Sequence, residues 1–194
     1  MDNINESKNT KRKVTPRKNI LDIVYVALFA AIISVCSLVS IQIVEIPITL
    51  QVLGICLASG FLGWFKGTLS VIIYILLGLI GIPVFSGGTS GFAKLASPTG
   101  GYIIGFIFTA LIIDLAVKFF GRKLYVLIIA MILGVLVCYA FGTAWFMILY
   151  NNSGKSIDLM SAMSACVIPF LPFDAIKIAV AAVLVNRLQK FVKV

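Results

Sequence analysis

The sequence predicts an all-α membrane protein: a bundle of six transmembrane helices with both termini in the cytoplasm. Three observations predict it. Hydrophobic residues make up 61% of the 194-residue chain, charged residues only 12%, and the mean hydropathy is +1.12. A water-soluble domain carries about 25% charged residues, so this chain has too little polar surface to coat itself in water. The hydrophobic residues fall in runs, most of them long enough to cross a hydrocarbon core of about 30 Å. The basic residues behind the net charge of +9 gather at the ends of those runs and in the first 18 positions. That placement suits anionic lipid headgroups and the positive-inside rule, and not a nucleic-acid groove.

The chain divides into a basic cytoplasmic tail (1–19), a six-helix membrane domain (20–190) and a short cytoplasmic tail (191–194). The first tail carries Lys8, Lys11, Arg12, Lys13, Arg17 and Lys18 and has no cleavable signal pattern. The first span covers about 20–44. Pro47 and its polar neighbours then mark a loop. Residues 52–65 and 67–82 are two shorter apolar runs around Lys66, each marginal for a crossing. Residues 83–98 form a Gly- and Ser-rich loop bounded by prolines. Spans at 99–119, 124–150 and 159–188 follow, joined by the basic turn Gly121-Arg-Lys123 and the polar loop Asn151 to Asp158.

Charge sets the expected orientation and decides the marginal pair. With the N-terminus inside, Lys66, Lys118, Arg122, Lys123, Arg187, Lys190 and Lys193 join the tail in the cytoplasm. Only Lys94 and Lys155 lie outside, and Lys177 lies within a span. If 52–82 crossed once, the 118–123 turn and the C-terminal tail would move outside, against the positive-inside rule. Six crossings therefore fit better than five, and the chain is expected in the cell membrane as a multi-pass protein.

Asp174 and Lys177 are the sharpest chemical signal. They follow Pro169-Phe-Leu-Pro172 inside the sixth run, and their i, i+3 spacing puts them on one helical face. Each charge at membrane depth costs roughly 2.5–3.5 kcal/mol on insertion scales, so both should face the bundle interior. They are either a self-satisfied structural ion pair or a polar anchor for a ligand. The prolines favour the anchor, because a broken helix frees backbone groups that can bind. The Gly87–Gly91 stretch, Gly-Gly-Thr-Ser-Gly, is either a flexible external loop or a wall over an outward-facing site. Ala27 and Ala31 form a small-xxx-small face, for internal packing or for a partner helix. Gly101 and Gly105 form another, expected to pack internally. Asp114 and Lys118 are expected to pair at i, i+4.

Absences narrow the function. Histidine is missing, which removes the commonest general base and metal ligand. Cys36, Cys56, Cys138 and Cys166 lie in or beside apolar runs without Cys-x-x-Cys spacing and read as reduced packing residues. Gly154-Lys155-Ser156 lacks the upstream glycine of a nucleotide-binding loop. No cofactor is expected.

The segments Pro47-Ile-Thr-Leu-Gln51, Gly81-Ile-Pro-Val-Phe-Ser-Gly-Gly88, Ser97-Pro-Thr-Gly-Gly-Tyr102 and Leu171-Pro-Phe-Asp-Ala-Ile-Lys177 together resemble the biotin-specific S component (BioY type) of energy-coupling factor transporters, over about residues 20–190. The resemblance implies a six-helix subunit that captures biotin outside and delivers it inward. It also implies partners: a transmembrane coupling subunit and two cytoplasmic ATPases. It maps the ligand site to Asp174, Lys177, Thr89, Tyr102, Gln51, Gly87 and Gly88. Asp174 would accept hydrogen bonds from ureido N–H groups; Lys177 would either orient Asp174 or bind ligand oxygen. It maps the coupling-subunit face to Ala27 and Ala31. Thr89 and Ile103 stand where family members can carry Asn and Arg. An S component for thiamine or riboflavin, a small intramembrane enzyme and a purely structural bundle are the alternatives.

Overall fold

The computed structural model describes residues 16–41, 46–154 and 157–189, with side chains from Ile20 onward. The basic residues Lys8, Lys11, Arg12 and Lys13, together with Lys155, Lys190 and Lys193, lie outside that set. So do the side chains of Arg17 and Lys18.

Helix α1 runs Pro16–Leu38. Proline suits a first helical position because its missing N–H would find no partner there. The helix stops short of the expected residue 44. Ser40–Ile41 instead forms strand β1, antiparallel to β2 at Ile48–Thr49, with Ser40 opposite Thr49 and Ile41 opposite Ile48. The β-branched Val39 and Ile41 suit a strand, and the small hairpin ties the end of α1 to the Pro47 loop.

Helices α2 (Gln51–Leu62) and α3 (Lys66–Leu79) occupy the two marginal runs. They have 12 and 14 residues, below the roughly 20 that span a bilayer unaided. Between them Gly63, Trp64 and Phe65 all adopt left-handed φ, at 57°, 50° and 63°. After α3 the chain makes a compact loop. Phe85 and Thr89 bridge across its turn, and the short helix α4 (Phe92–Leu95) follows. Phe85 is fully buried, edge-on to Tyr74 with centroids 5.7 Å apart. It fits only because residue 78 is glycine; a Cβ there would enter the Phe85 ring.

Helices α5 (Gly100–Phe120) and α6 (Leu124–Asn152) pack along one another. Glycines set the closeness: a Cβ on Gly105 would lie 2.9 Å from the Cys138 sulfur, and Gly101 abuts Trp145. The internal role expected of this glycine pair is what the structure has. Helix α7 (Leu159–Cys166) and helix α8 (Leu171–Leu188) are bent by 49° across a four-residue break containing Pro169. Asp158 caps α7, accepting from the Met160 N–H at 3.3 Å. The core lies between α2, α3, α5, α6 and α8.

Three helices are long and apolar enough to cross a membrane, at Ile20–Leu38, Gly100–Phe120 and Leu124–Asn152; the bent α7–α8 pair makes a fourth. The chain is thus a mostly helical, multi-pass membrane protein. Its outer faces carry exposed Ile, Leu, Val and Phe, the surface that lipid solvates.

One local expectation is corrected, and one open choice is narrowed. Asp114 does not pair with Lys118. It is 1% exposed and turned inward, where Oδ2 accepts from both the Thr68 N–H and the Thr68 hydroxyl at 2.8 Å. The carboxylate thereby supplies the missing cap of α3, whose own N-cap, Phe65, contributes no side-chain bond. Lys118 instead lies over the Trp64 ring, 4.0 Å from its centroid. Ala27 and Ala31 do not pack internally. They are exposed, while Ala30 and Ser34 on the adjacent stripe are buried.

Candidate binding site

Asp174 sits in the first turn of α8, just past Pro172. Its N–H bonds to the Phe170 carbonyl at 2.8 Å. One turn on, Lys177 places its Nζ 2.7 Å from Asp174 Oδ1. The other carboxylate oxygen accepts from the Tyr139 hydroxyl of α6 at 2.5 Å. Asp174 and Lys177 are only 4% and 7% exposed. A buried charge this close to hydrocarbon is tolerable only when paired and hydrogen-bonded, and both conditions hold.

The triad does not merely satisfy itself within solid protein. All three side chains line a narrow cavity of about 60 Å³. Tyr102 and Gln51 line it too, as do Thr49, Ser86, Thr99 and Thr109, within an apolar wall that includes Ile55, Ile103, Phe106 and Phe170. The cavity therefore has few fixed polar groups in an apolar surround, the composition of a small-molecule site. Loop residues Ile46, Pro47 and Ser86 bound it at the end where α2 and α5 begin.

The polar groups are held by second partners. Gln51 donates through Nε2 to the Tyr74 hydroxyl and accepts through Oε1 from Thr49 at 3.0 Å; the Tyr74 hydroxyl in turn donates to the Ser37 hydroxyl at 3.2 Å. The Tyr102 hydroxyl donates to the Cys166 carbonyl at 3.1 Å, in the frayed region where α7 ends.

Thr89, Gly87 and Gly88 are not in the cavity wall. They are exposed, and Thr89 Oγ1 donates back to the Ser86 carbonyl at 3.0 Å. Gly87 and Gly88, at φ 74° and 70°, form the turn that sends Phe85 and Ser86 inward. Ser86, not Thr89, is the hydroxyl of this loop at the cavity. Lys94, half-buried on α4, lies outside the lining, and its desolvation lowers its amine from the usual range.

Sequence reasoning missed Tyr139, Ser86, Thr99, Thr49 and Thr109. Thr49, Ser86 and Thr99 lie inside the quoted segments, so their signal was present. Tyr139 had a weaker one: a hydroxyl in the middle of a long apolar run, which must find a partner when buried.

A mostly helical membrane bundle with an ion-paired polar cavity, and no nucleotide-binding loop in its sequence, belongs to the class of membrane substrate-binding subunits. The family-level match is specific: the chain belongs to the BioY family, whose model matches residues 7–194. It is 38% identical over 164 residues to the probable biotin transporter BioY of Pyrococcus horikoshii, covering 84% of this chain and 93% of that one. It is 37% identical over 164 residues to the biotin transporter BioY of Thermotoga maritima, covering 84% and 92%. Its fold matches the 2.1 Å crystal structure of the S-component for biotin from an ECF-type ABC transporter. The TM-score is 0.81 at 32% identity, covering 91% of this chain and 94% of that one.

Proposed function

We propose that this chain is the biotin-capturing membrane subunit of an energy-coupling factor transporter. It is a transporter subunit and not an enzyme. The observation that carries the reading is the buried Asp174–Lys177–Tyr139 group facing a cavity instead of solid protein. Asp174 is the acceptor for the ureido N–H groups of biotin. Lys177 neutralises it and is placed to reach a ligand oxygen. Ile103, Phe106 and Phe170 contact the apolar thiolane and chain, and Gln51, Tyr102, Ser86 and Thr99 supply the remaining polar contacts. The cavity is narrower than the roughly 300 Å³ at which ligand pockets begin, so the bounding loops move outward as biotin enters.

Six crossings with both termini inside remain the best account of the topology. α2 and α3 cross as short helices completed by their flanking loops, and the basic residues then collect on one side. Delivery inward requires a partner module with a transmembrane coupling subunit and two ATPases. The exposed Ala27–Ala31 face of α1 is the dock for the coupling subunit.

Calorimetric titration of the detergent-solubilised protein tests the function. Biotin is expected to bind saturably at one site, with no heat from thiamine or riboflavin. Absence of biotin binding by folded protein overturns the reading.

A further inference from the structure

A second concavity, about 450 Å³, lies at the other end of the bundle, where the α2–α3 turn, the α5–α6 turn and the end of α8 meet. Among the described residues its lining includes Lys66, Lys118 and Arg122 together with Trp64 and Gln189, and no carboxylate. Lys66 is held at 2.6 Å by Asp22 outside the lining. Arg122 donates from Nε to the Gly60 carbonyl at 3.1 Å and from Nη2 to the Phe61 and Leu62 carbonyls at 2.6 and 3.3 Å. It thus clamps the open end of α2 and leaves Nη1 without a bond among the described residues. Lys118 has no carboxylate partner among them; its ammonium lies 4.0 Å from the Trp64 ring centroid and 5.5 and 5.4 Å from those of Phe65 and Phe119.

The turn that carries Trp64 is strained. Trp64 and Phe65 are the non-glycine residues with positive φ among those described, a conformation bulky side chains hold only where the surrounding structure imposes it. The strain holds two exposed aromatic rings, 62% and 44% accessible, beside an unpaired ammonium. Phe119, Phe120 and Tyr125 are exposed alongside. Aromatic rings at this level are typical of the boundary between headgroups and hydrocarbon.

We propose that this groove binds the headgroup of an anionic glycerophospholipid. The phosphate lies between Lys118 and the free edge of Arg122, and the acyl chains lie over Phe119 and Phe120. A soluble anion would meet the charge and leave the flanking rings uncovered. A zwitterionic lipid would cover the rings and bring its own ammonium against Lys118. An anionic lipid satisfies both, by charge and by hydrocarbon.

The test is lipid retention by the full chain, released for native mass spectrometry from bilayers of equal phosphatidylglycerol and phosphatidylcholine. Phosphatidylglycerol is expected to be retained in preference. Lys118→Gln should lower that preference about fivefold, the effect of one basic residue near an anionic surface. Lys118→Arg should keep it, and Lys94→Gln, at the opposite end, should leave it unchanged. Soluble glycerol phosphate should not displace the lipid. Equal retention of the two lipids, an unaltered preference in Lys118→Gln, or displacement by glycerol phosphate overturns the proposal. So does a Lys118→Gln variant that loses the ATPase module while keeping the lipid, since the groove would then belong to a protein partner.

Discussion

Asp174 is asked to do two things that conflict in lipid: carry a charge and stay available. Lys177 and Tyr139 resolve the conflict by taking one oxygen each, while Asp174 still lines the cavity. Asp174→Asn removes the charge and keeps the shape. A charge-assisted bond is worth roughly 1.5–3 kcal/mol, so labelled-biotin affinity should fall about tenfold to a hundredfold; unchanged affinity would remove Asp174 from the site. Lys177→Met should lower both affinity and thermal stability, because breaking a buried pair leaves an uncompensated charge at a cost of about 3–5 kcal/mol. Asp114 offers the contrasting case. It is as deeply buried, yet it lies outside the cavity lining and is spent on Thr68. Asp114→Ala should lower the unfolding temperature in detergent, by the loss of about 1.5–3 kcal/mol, with biotin affinity retained.

The elements owe their positions to glycine and proline more than to hydrophobicity, which is nearly uniform along the spans. Gly105 lets α5 approach α6 at Cys138, and Gly78 admits Phe85. Gly105→Leu should therefore overpack the seam and cost roughly 1–3 kcal/mol, read as a lower thermal midpoint. The break at Pro169 was visible in the sequence, as was the pairing of Gly101 and Gly105. The end of α1 at Leu38 was not, because a β-branched run can be strand or helix and only the partner strand at Ile48–Thr49 decides. Nor was the tertiary cap that Asp114 places on α3. Spacing put Asp114 next to Lys118, but a carboxylate goes where donors are desolvated, and those were 46 residues away on α3.

For the whole molecule, the two ends have divided the work. One gathers loops and hydroxyls around the cavity; the other gathers cations and aromatic rings. Between them the exposed Ala27 and Ala31 offer α1 a flat strip for close helix contact. Ala31→Trp should abolish co-purification with the coupling subunit while biotin binding persists, and an intact complex would remove this dock. Topology is open to a separate check. A cysteine at Lys94 should be labelled from outside intact cells and one at Lys123 should not; the reverse pattern would invert the orientation.

Sequence alone determined the solvent, the helical class, the broken last helix and the two charged residues placed within it. Each follows from a local cost: apolar runs must leave water, proline cannot continue a helix, and a charge in hydrocarbon needs a reason. Tertiary structure alone decided that Tyr139 completes the acid–base group, that Ser86 and not Thr89 reaches the cavity, and that Asp114 turns inward to α3. Those outcomes depend on which donor lies within about 3 Å of which acceptor once the helices are packed. Distances of that kind belong to residues far apart in the chain, so no pattern of neighbours contains them.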